Sequence, residues 1–397
     1  MDSSQKIVAD VHWVGVKDRD LEIFDDLFPT HNGTTYNAYL VCGKNKTVLI
    51  DTVKEPFSAE FFSKVGEHLA LEKVDAVIIN HTEPDHSGAL NALLDKNPEL
   101  VIYCSRPADN FLRQLLNRDF TSCVIEEGGE LDLGGKTLRF YLAPSLHWPD
   151  TIFTYLVEDE LLFSCDAFGA HYCSSKLFDD EIADFSADFY FYFDCIMRPF
   201  KDKVREALAK ISDLPIRMIC PSHGPIRRSM YQDALNSYRR WSAAPPIANR
   251  PKALLAILSS HGNTRKMAAV VRTELEARGI EVNEFALSTM RDDDYRNALE
   301  EADVLVIGTP TIQRDAPSQV WHALTLISSV NPKVKRGAVF GSYGWSGEAT
   351  KMIEERLRGL KYTLATDGLS FRFTPTTANL EECRQFASRI AAAVLKD

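Results

Sequence analysis

Paired cysteines are absent from this chain. Its eight cysteines stand at 42, 104, 123, 165, 173, 195, 220 and 383, and none forms a Cys-x-x-Cys pair. That excludes a zinc ribbon, a four-cysteine iron site and a thioredoxin-type redox motif. Dispersed thiols in a chain this long are expected to be buried side chains in a reducing, cytoplasmic setting. There is no apolar run of roughly eighteen residues, so no membrane span is expected. Met1-Asp2-Ser3-Ser4-Gln5-Lys6 lacks the apolar core of a signal peptide. Basic charge is also short: 45 Lys and Arg against 56 Asp and Glu leave a net charge of −11. Phosphate contacts need a basic face, so no nucleic-acid role is expected. An apolar fraction of 45% and a charged fraction of 25% are ordinary for a globular protein. A length of 397 residues exceeds one core and predicts two or three domains.

Metal-ligating side chains, by contrast, are concentrated. His81-Thr82-Glu83-Pro84-Asp85-His86 places four potential ligands in six residues. The stretch follows the β-branched, apolar run of residues 74–80, which reads as a buried strand delivering the ligands to its C-terminal end. Pro84 is expected to stop a helix forming through them. Imidazole and carboxylate at this density exceed what one tetrahedral ion needs and suggest two metals.

The surrounding chain repeats the arrangement. Residues 7–53 read as β-rich, with alternation over 11–16 and a hairpin of 34–42 and 47–53 around Gly43-Lys44-Asn45. Asp51 ends the second strand of that hairpin; a ligand role is open to it, and a structural role holding the neighbouring loop is favoured, since a lone Asp after a strand is usually a cap. Residues 56–70 have helical spacing, and a helix is expected over 88–96. Further on, His147-Trp148-Pro149-Asp150 follows a strand at 137–143. Asp166 follows a strand at 161–165, and His223-Gly224-Pro225 follows one at 217–220. Singly, each is weak, since a lone histidine at a strand end is more often a satisfied hydrogen bonder than a ligand. Together, His81, Glu83, Asp85, His86, His147, Asp166 and His223 suit two metals bridged by Asp166.

This order, His-x-Glu-x-Asp-His followed by His, Asp and His, resembles the metallo-β-lactamase superfamily, which implies an αβ/βα sandwich. In its zinc hydrolases the third position is usually His. Glu83 stands there instead, and an added carboxylate makes the site harder and favours iron over zinc. That departure, with His147-Trp148-Pro149-Asp150, resembles the flavodiiron proteins.

Near residues 243–251 a proline-rich segment without period, Ala243-Ala244-Pro245-Pro246-Ile247-Ala248-Asn249-Arg250-Pro251, reads as a linker. It divides a domain at 1–245 from one at 252–397. Residues 252–258 form a continuous apolar strand of the kind buried in a parallel sheet. Strands expected near 280–286, 303–308, 337–341 and 369–373 alternate with helices near 264–278, 292–301, 317–329, 347–359 and 378–395. Five βα units match a doubly wound parallel sheet of flavodoxin-like size.

Three loops fall on the ligand-binding edge of that sheet. Ser259-Ser260-His261-Gly262-Asn263-Thr264 joins the first strand to the first helix, where backbone N–H groups and the helix dipole favour a phosphate. It resembles the flavodoxin phosphate loop, with His261 where that family often has Thr. Gly308-Thr309-Pro310-Thr311-Ile312-Gln313 and Gly341-Ser342-Tyr343-Gly344-Trp345-Ser346-Gly347 are expected to follow the third and fourth strands. Tyr343 or Trp345 is suited to stacking on an isoalloxazine ring. The resemblance implies FMN, and no Gly-x-Gly-x-x-Gly is present at the first loop for a dinucleotide.

Fold alone does not fix function. The fusion, in this order, resembles the flavodiiron proteins over nearly all 397 residues. The resemblance implies an oxidoreductase relaying electrons through FMN to two non-haem irons that reduce O₂ to water, NO to N₂O, or both. It implies His81, Glu83 and His147 on one iron and Asp85, His86 and His223 on the other, with Asp166 as the bridge. His171 and Tyr192 are candidates for donating protons or hydrogen bonds beside the metals. It further implies a head-to-tail homodimer or a dimer of dimers, each flavin facing the partner's irons. The electron donor is expected to be external, a rubredoxin-like protein or a reduced deazaflavin. The rival readings are a dizinc hydrolase carrying a flavodoxin-like module, and an FMN electron carrier with an inert metal domain.

Overall fold

A computed structural model describes residues 3–246 and 248–396. Met1, Asp2, Ile247 and Asp397, which the readings of the N-terminus, linker and domain ends include, lie outside the described residues. The chain divides into two compact units, Met1–Ala243 and Ala244–Asp397.

Two sheets form the centre of the first unit. One has the order Gln5–Val8, Val11–Trp13, Tyr39–Cys42, Thr47–Ile50, Ala76–Ile79, Val101–Cys104 and Thr121–Val124. Its pairings are antiparallel up to Thr47–Ile50 and parallel beyond. The other has the order Glu130–Asp132, Thr137–Leu142, Ile152–Leu156, Leu161–Cys165 and Met218–Pro221, with only the last pair parallel. Side chains alternate between two covered faces, so central strands such as Thr47–Ile50, Ala76–Ile79 and Leu161–Cys165 are largely apolar, while edge strands such as Glu130–Asp132 are not. Val48, Ile50 and Ile78 from the first sheet meet Ile152, Phe163 and Cys220 from the second in one buried layer. Their neighbours Leu49, Val77 and Ile79 face the other way, into a cluster shared with the helices Ser58–Gly66, Leu90–Lys96 and Arg106–Leu116. Phe153, Leu162 and Ile219 do the same toward Ser186–Tyr192, Lys201–Lys210 and Tyr231–Trp241. Helix, sheet, sheet, helix is the αβ/βα sandwich expected.

The second unit is a parallel sheet in the order Glu281–Ala286, Lys252–Ile257, Val304–Pro310, Arg336–Tyr343, with Thr363–Leu364 and Leu369–Arg372 both pairing the last of these. The connections from Lys252–Ile257 and from Val304–Pro310 leave in opposite directions, which opens a crevice at their C-terminal ends. Helices Asn263–Ala277 and Thr377–Val394 bury Met267, Val271, Phe386 and Ile390 on one face. Val320, Ile353 and Leu357 cover the other.

Several local expectations are corrected. Pro84 does not prevent a helix: it opens the short helix Pro84–Ser87, where a missing N–H costs nothing in the first turn. The alternating run over 11–16 breaks into Val11–Trp13 and Val16–Asp18, and the first hairpin arm breaks into Thr34–Tyr36 and Tyr39–Cys42. Asn37 interrupts that arm because its amide is committed elsewhere, donating to the carbonyls of Pro221 and Gly224 at 2.8 and 2.9 Å. The helix expected over 56–70 ends at Gly66, and that over 317–329 tightens after Thr325 into a 3₁₀ turn, Leu326–Ser329. The third and fourth flavodoxin-like strands run on to Pro310 and Tyr343, because Pro310 pairs with Ser342 and Tyr343 with Arg372. Of the eight cysteines only Cys104, Cys165, Cys220 and Cys383 are buried, and Cys123 is exposed. Among the described residues no helix is long and apolar enough to cross a membrane.

Candidate metal centre and flavin cradle

All seven candidate ligands converge at one edge of the sandwich. His81 and Glu83 follow Ala76–Ile79, Asp85 and His86 ride on Pro84–Ser87, and Asp166 directly follows Leu161–Cys165. Met218–Pro221 runs parallel to that last strand, with Pro221 opposite Cys165, so His223 comes to the same end. Asp166 lies between two groups. Its Oδ2 is 3.9 Å from His81 Nε2 and 3.7 Å from His147 Nε2, and both imidazoles are 3.1 Å from Glu83 Oε2. Its Oδ1 is 3.2 Å from His86 Nε2 and 3.3 Å from His223 Nε2. Asp85 meets those two at 3.5 and 3.1 Å. His81, Glu83, His147 and Asp85, His86, His223 each form a set of ligand atoms close enough to hold an ion.

The donor set fits a cation pair for a second reason. Both carboxylate oxygens of Asp85 and Nε2 of His86 are sealed from solvent without a hydrogen-bond partner. Buried polar atoms are almost always satisfied, so these orphans, in a set of ligand atoms lying close together, suit a positive charge. Electrostatics agree. Burial pulls the His81 and His223 imidazoles down, but the carboxylates of Asp150 and Glu83, and of Asp166 and Asp85, more than reverse this and raise each to about 9. Burial pushes Glu83 up, and its bonds to His147 and His81 bring it down to about 2. Protons held this firmly between carboxylates are the positive charge that metals displace.

The other ring nitrogen of His81 and of His223 is held too. His81 Nδ1 lies 3.2 Å from both oxygens of the fully buried Asp150, whose Oδ2 also accepts from the Thr82 N–H and hydroxyl at 2.7 and 2.8 Å. His223 Nδ1 donates to the Thr35 carbonyl at 2.7 Å. These bonds leave Nε2 with a free lone pair. Asp51 accepts the Asn80 N–H at 2.7 Å and approaches His86 Nδ1 at 4.0 Å. It thereby ties the strand end to the ligand turn. Asp51 and Cys165 have positive φ, 56° and 54°, sparsely populated conformations that aim the chain at the site.

Tyr192 donates to Asp166 Oδ1 at 3.1 Å. Gly169 makes room for it, since a Cβ there would stand 3.2 Å from the Tyr192 ring and 3.0 Å from the Asp166 carbonyl. His171 is buried, not on the surface; Nδ1 pairs with the Thr34 hydroxyl at 3.1 Å and Nε2 has no partner. Burial holds its pKa down to about 3. A cavity of about 250 Å³ opens where Glu83 and His147 are partly exposed, walled by Phe24, Leu27, Phe28, Tyr192, Ile196 and Phe200. Asp25 also lines it; burial, then the charges of Glu83 and Asp85, raises it to about 6. Neither Asp25 nor the role of Asp150 is readable from the sequence, because their partners are distant along the chain.

In the second unit Ser259, Ser260, His261, Asn263, Thr264, Pro310, Thr311, Ile312, Gln313, Ser342, Tyr343, Gly344 and Trp345 line one cavity of about 380 Å³. Gly262 and Gly347 do not line it but stand just before the helices Asn263–Ala277 and Glu348–Gly359. Gly262 has φ +81°, which a side chain would strain. Hydroxyls of Thr264 and Ser342 meet at 2.9 Å in the cavity's base, beside a helix N-terminus suited to a phosphate. Trp345, 65% exposed, and Phe373, 58% exposed, form aromatic walls. Phe373 is not readable as a lining residue from the sequence, because it lies well beyond the loop that ends at Gly347. Phosphate cradle, polar base and flat aromatic walls fit FMN.

A carboxylate-rich dimetal site on one unit and a flavin cradle on another define a metal- and flavin-dependent oxidoreductase. Comparison with known proteins makes this specific. Residues 34–224 match the ODP family beta lactamase model, and residues 258–386 match flavodoxin. A type A flavoprotein of Rhodobacter capsulatus is 39% identical over 97% of this chain and 90% of its own. A nitric oxide reductase of Moorella thermoacetica is 36% identical, covering 98% of both. Among solved structures, rubredoxin oxygen:oxidoreductase of Desulfovibrio gigas has a TM-score of 0.69 and 29% identity over 99% of each chain. The flavodiiron protein of Giardia intestinalis has a TM-score of 0.67 and 28% identity, covering 100% of this chain and 98% of that one. The chain belongs to the flavodiiron protein family, oxidoreductases that join an FMN-binding flavodoxin domain to a non-haem diiron domain.

Proposed function

We propose that this protein reduces O₂ to water, NO to N₂O, or both, with electrons passed from FMN to two irons. His81, Glu83 and His147 would hold one metal and Asp85, His86 and His223 the other, with Asp166 placed between the two sets. The observation that carries this is the division of Asp166, one oxygen toward each set of three ligands. When bound, the irons supply the electrons to the substrate. The protein's own groups do the rest. Glu83 adds a carboxylate where a zinc hydrolase would have imidazole, which favours iron. Tyr192 steadies the bridging carboxylate through its hydroxyl. The apolar cavity beside Glu83 and His147 admits a small uncharged molecule and limits water. Ser259 to Thr264 would hold the flavin phosphate, and Tyr343, Trp345 and Phe373 would wall its ring.

Exposed apolar side chains beside each site support a head-to-tail homodimer in solution: Leu27 at 72% near the metals, Trp345 and Phe373 at the flavin cradle. A protein that is monomeric at assay concentration and turns over at full rate would exclude this. The electron donor is a separate rubredoxin-like protein or a reduced deazaflavin. Eight free cysteines fit a cytoplasmic setting.

The deciding experiment is metal and flavin content after purification without oxygen, followed by O₂ and NO consumption with the reduced enzyme. About two irons and one FMN per chain, with substrate consumption, are expected. Zinc in their place, in cells supplied with iron, would move the assignment to a hydrolase.

A further inference from the structure

A second cavity of the first unit has no part in this chemistry. It measures about 380 Å³ and lies between the helices Ser186–Tyr192 and Tyr231–Trp241, lined by Asp179, Ile182, Phe185, Phe189, Ala234 and Arg227 among others. Arg227 is 3% exposed. Its guanidinium carbon sits 4.3 Å from the Phe185 ring centroid and 4.0 Å from that of Phe189, so apolar rings cover its faces. Its N–H edge is poorly served. Nε has no hydrogen-bond partner, and Nη2 has one long contact, 3.5 Å, to the Phe168 carbonyl. Among the described residues no carboxylate oxygen lies within 4.0 Å of it. Asp179, the nearest opposing charge, is committed elsewhere, accepting the N–H groups of Arg228 and Ser229 at 3.0 and 3.1 Å and that of Met230 at 2.8 Å. The backbone of Arg227 cannot swing away, because its N–H and carbonyl both pair with Ile219.

A buried guanidinium without an ion pair is costly, and its terminal N–H groups suit a carboxylate. Asp184 and Asp233 at the rim disfavour a second negative charge on the occupant. We propose that this cavity is a binding site for a small organic monocarboxylate, its apolar body against Phe185, Phe189 and Ile182 and its carboxylate on Arg227. The proposal does not depend on the redox assignment. It rests on a cavity distinct from the metal and flavin sites.

The test uses the full-length protein loaded with metal and flavin, titrated calorimetrically with benzoate, hexanoate and indole-3-acetate. Benzamide serves as the uncharged counterpart of benzoate. At least one carboxylate is expected to bind saturably at one site per chain, with benzamide weaker than benzoate by about tenfold or more. Arg227→Gln is expected to remove that difference. Ser237→Trp, which fills the cavity while leaving Arg227 in place, is expected to abolish binding with little change in the thermal melt. If Arg227→Gln does not fold, the benzoate-to-benzamide ratio and the filled variant still decide. Absence of saturable binding by all three carboxylates would overturn the proposal. So would equal affinity for benzamide, or undiminished binding in Ser237→Trp, which would locate the carboxylate on the metals.

Discussion

Replacing Asp150 with Asn probes how a ligand histidine is held. Asp150 is fully buried; both its oxygens lie 3.2 Å from His81 Nδ1, and Oδ2 also accepts from the Thr82 N–H and hydroxyl. An amide in either orientation sets an NH₂ against one of these donors. With its oxygen on Thr82, the NH₂ faces His81 Nδ1, and the ring must move its proton to Nε2, the atom aimed at Glu83 and Asp166. With its oxygen on His81, the NH₂ meets the Thr82 N–H donor to donor. A buried donor left unsatisfied costs about 1–3 kcal/mol. Loss of the partner that orients a metal-bound histidine weakens metal binding about 10–100-fold, or about 1.4–2.7 kcal/mol. The two ranges agree. The assay is metal retention against a graded chelator, with thermal melting of the metal-free protein as the folding control. The metal held by His81, Glu83 and His147 is expected to leave 10–100-fold more readily, and the other to stay. Two metals with unchanged competition curves in a folded Asp150→Asn protein would refute the reasoning.

Three further outcomes are expected. Glu83→His should shift metal content from iron toward zinc in cells supplied with both, read by elemental analysis. Thr264→Val, which deletes a hydroxyl at the base of the flavin cradle, should weaken FMN binding about tenfold by fluorescence titration; an unchanged affinity would confine Thr264 to its bond with Ser342. The metal-free protein should lose stability in alkali. His81 and His223 have folded values near 9, above an ordinary 6.5, so their contribution is complete below pH 6.5 and lost as pH rises through 9. The loss is on the order of 3 kcal/mol for each at most, measured by guanidinium melts at pH 6.5 and 9.5. Flat stability across that window would show that the carboxylates do not hold those protons.

Much of this molecule was legible in one dimension. The apolar runs ending in His, Asp or His-x-Glu-x-Asp-His announced strands with ligands at their tips, because a strand delivers whatever follows it to a sheet edge. The alternation of strands and helices after residue 252 announced a doubly wound sheet, and its loops announced a phosphate. These are local signals, and chain order carries them. Pro84 shows their limit, since the same residue that breaks a helix interior starts one in the first turn. What only the tertiary structure decided is which atoms face each other. Asp150 reaches His81 across 69 residues, Tyr192 reaches Asp166 across 26, and Thr35 reaches His223 across 188. Asp25 joins the metal cavity, Phe373 the flavin wall, and Arg227 a cavity of its own. Hydrogen bonding and desolvation depend on distances of a few ångströms, and sequence separation does not encode them.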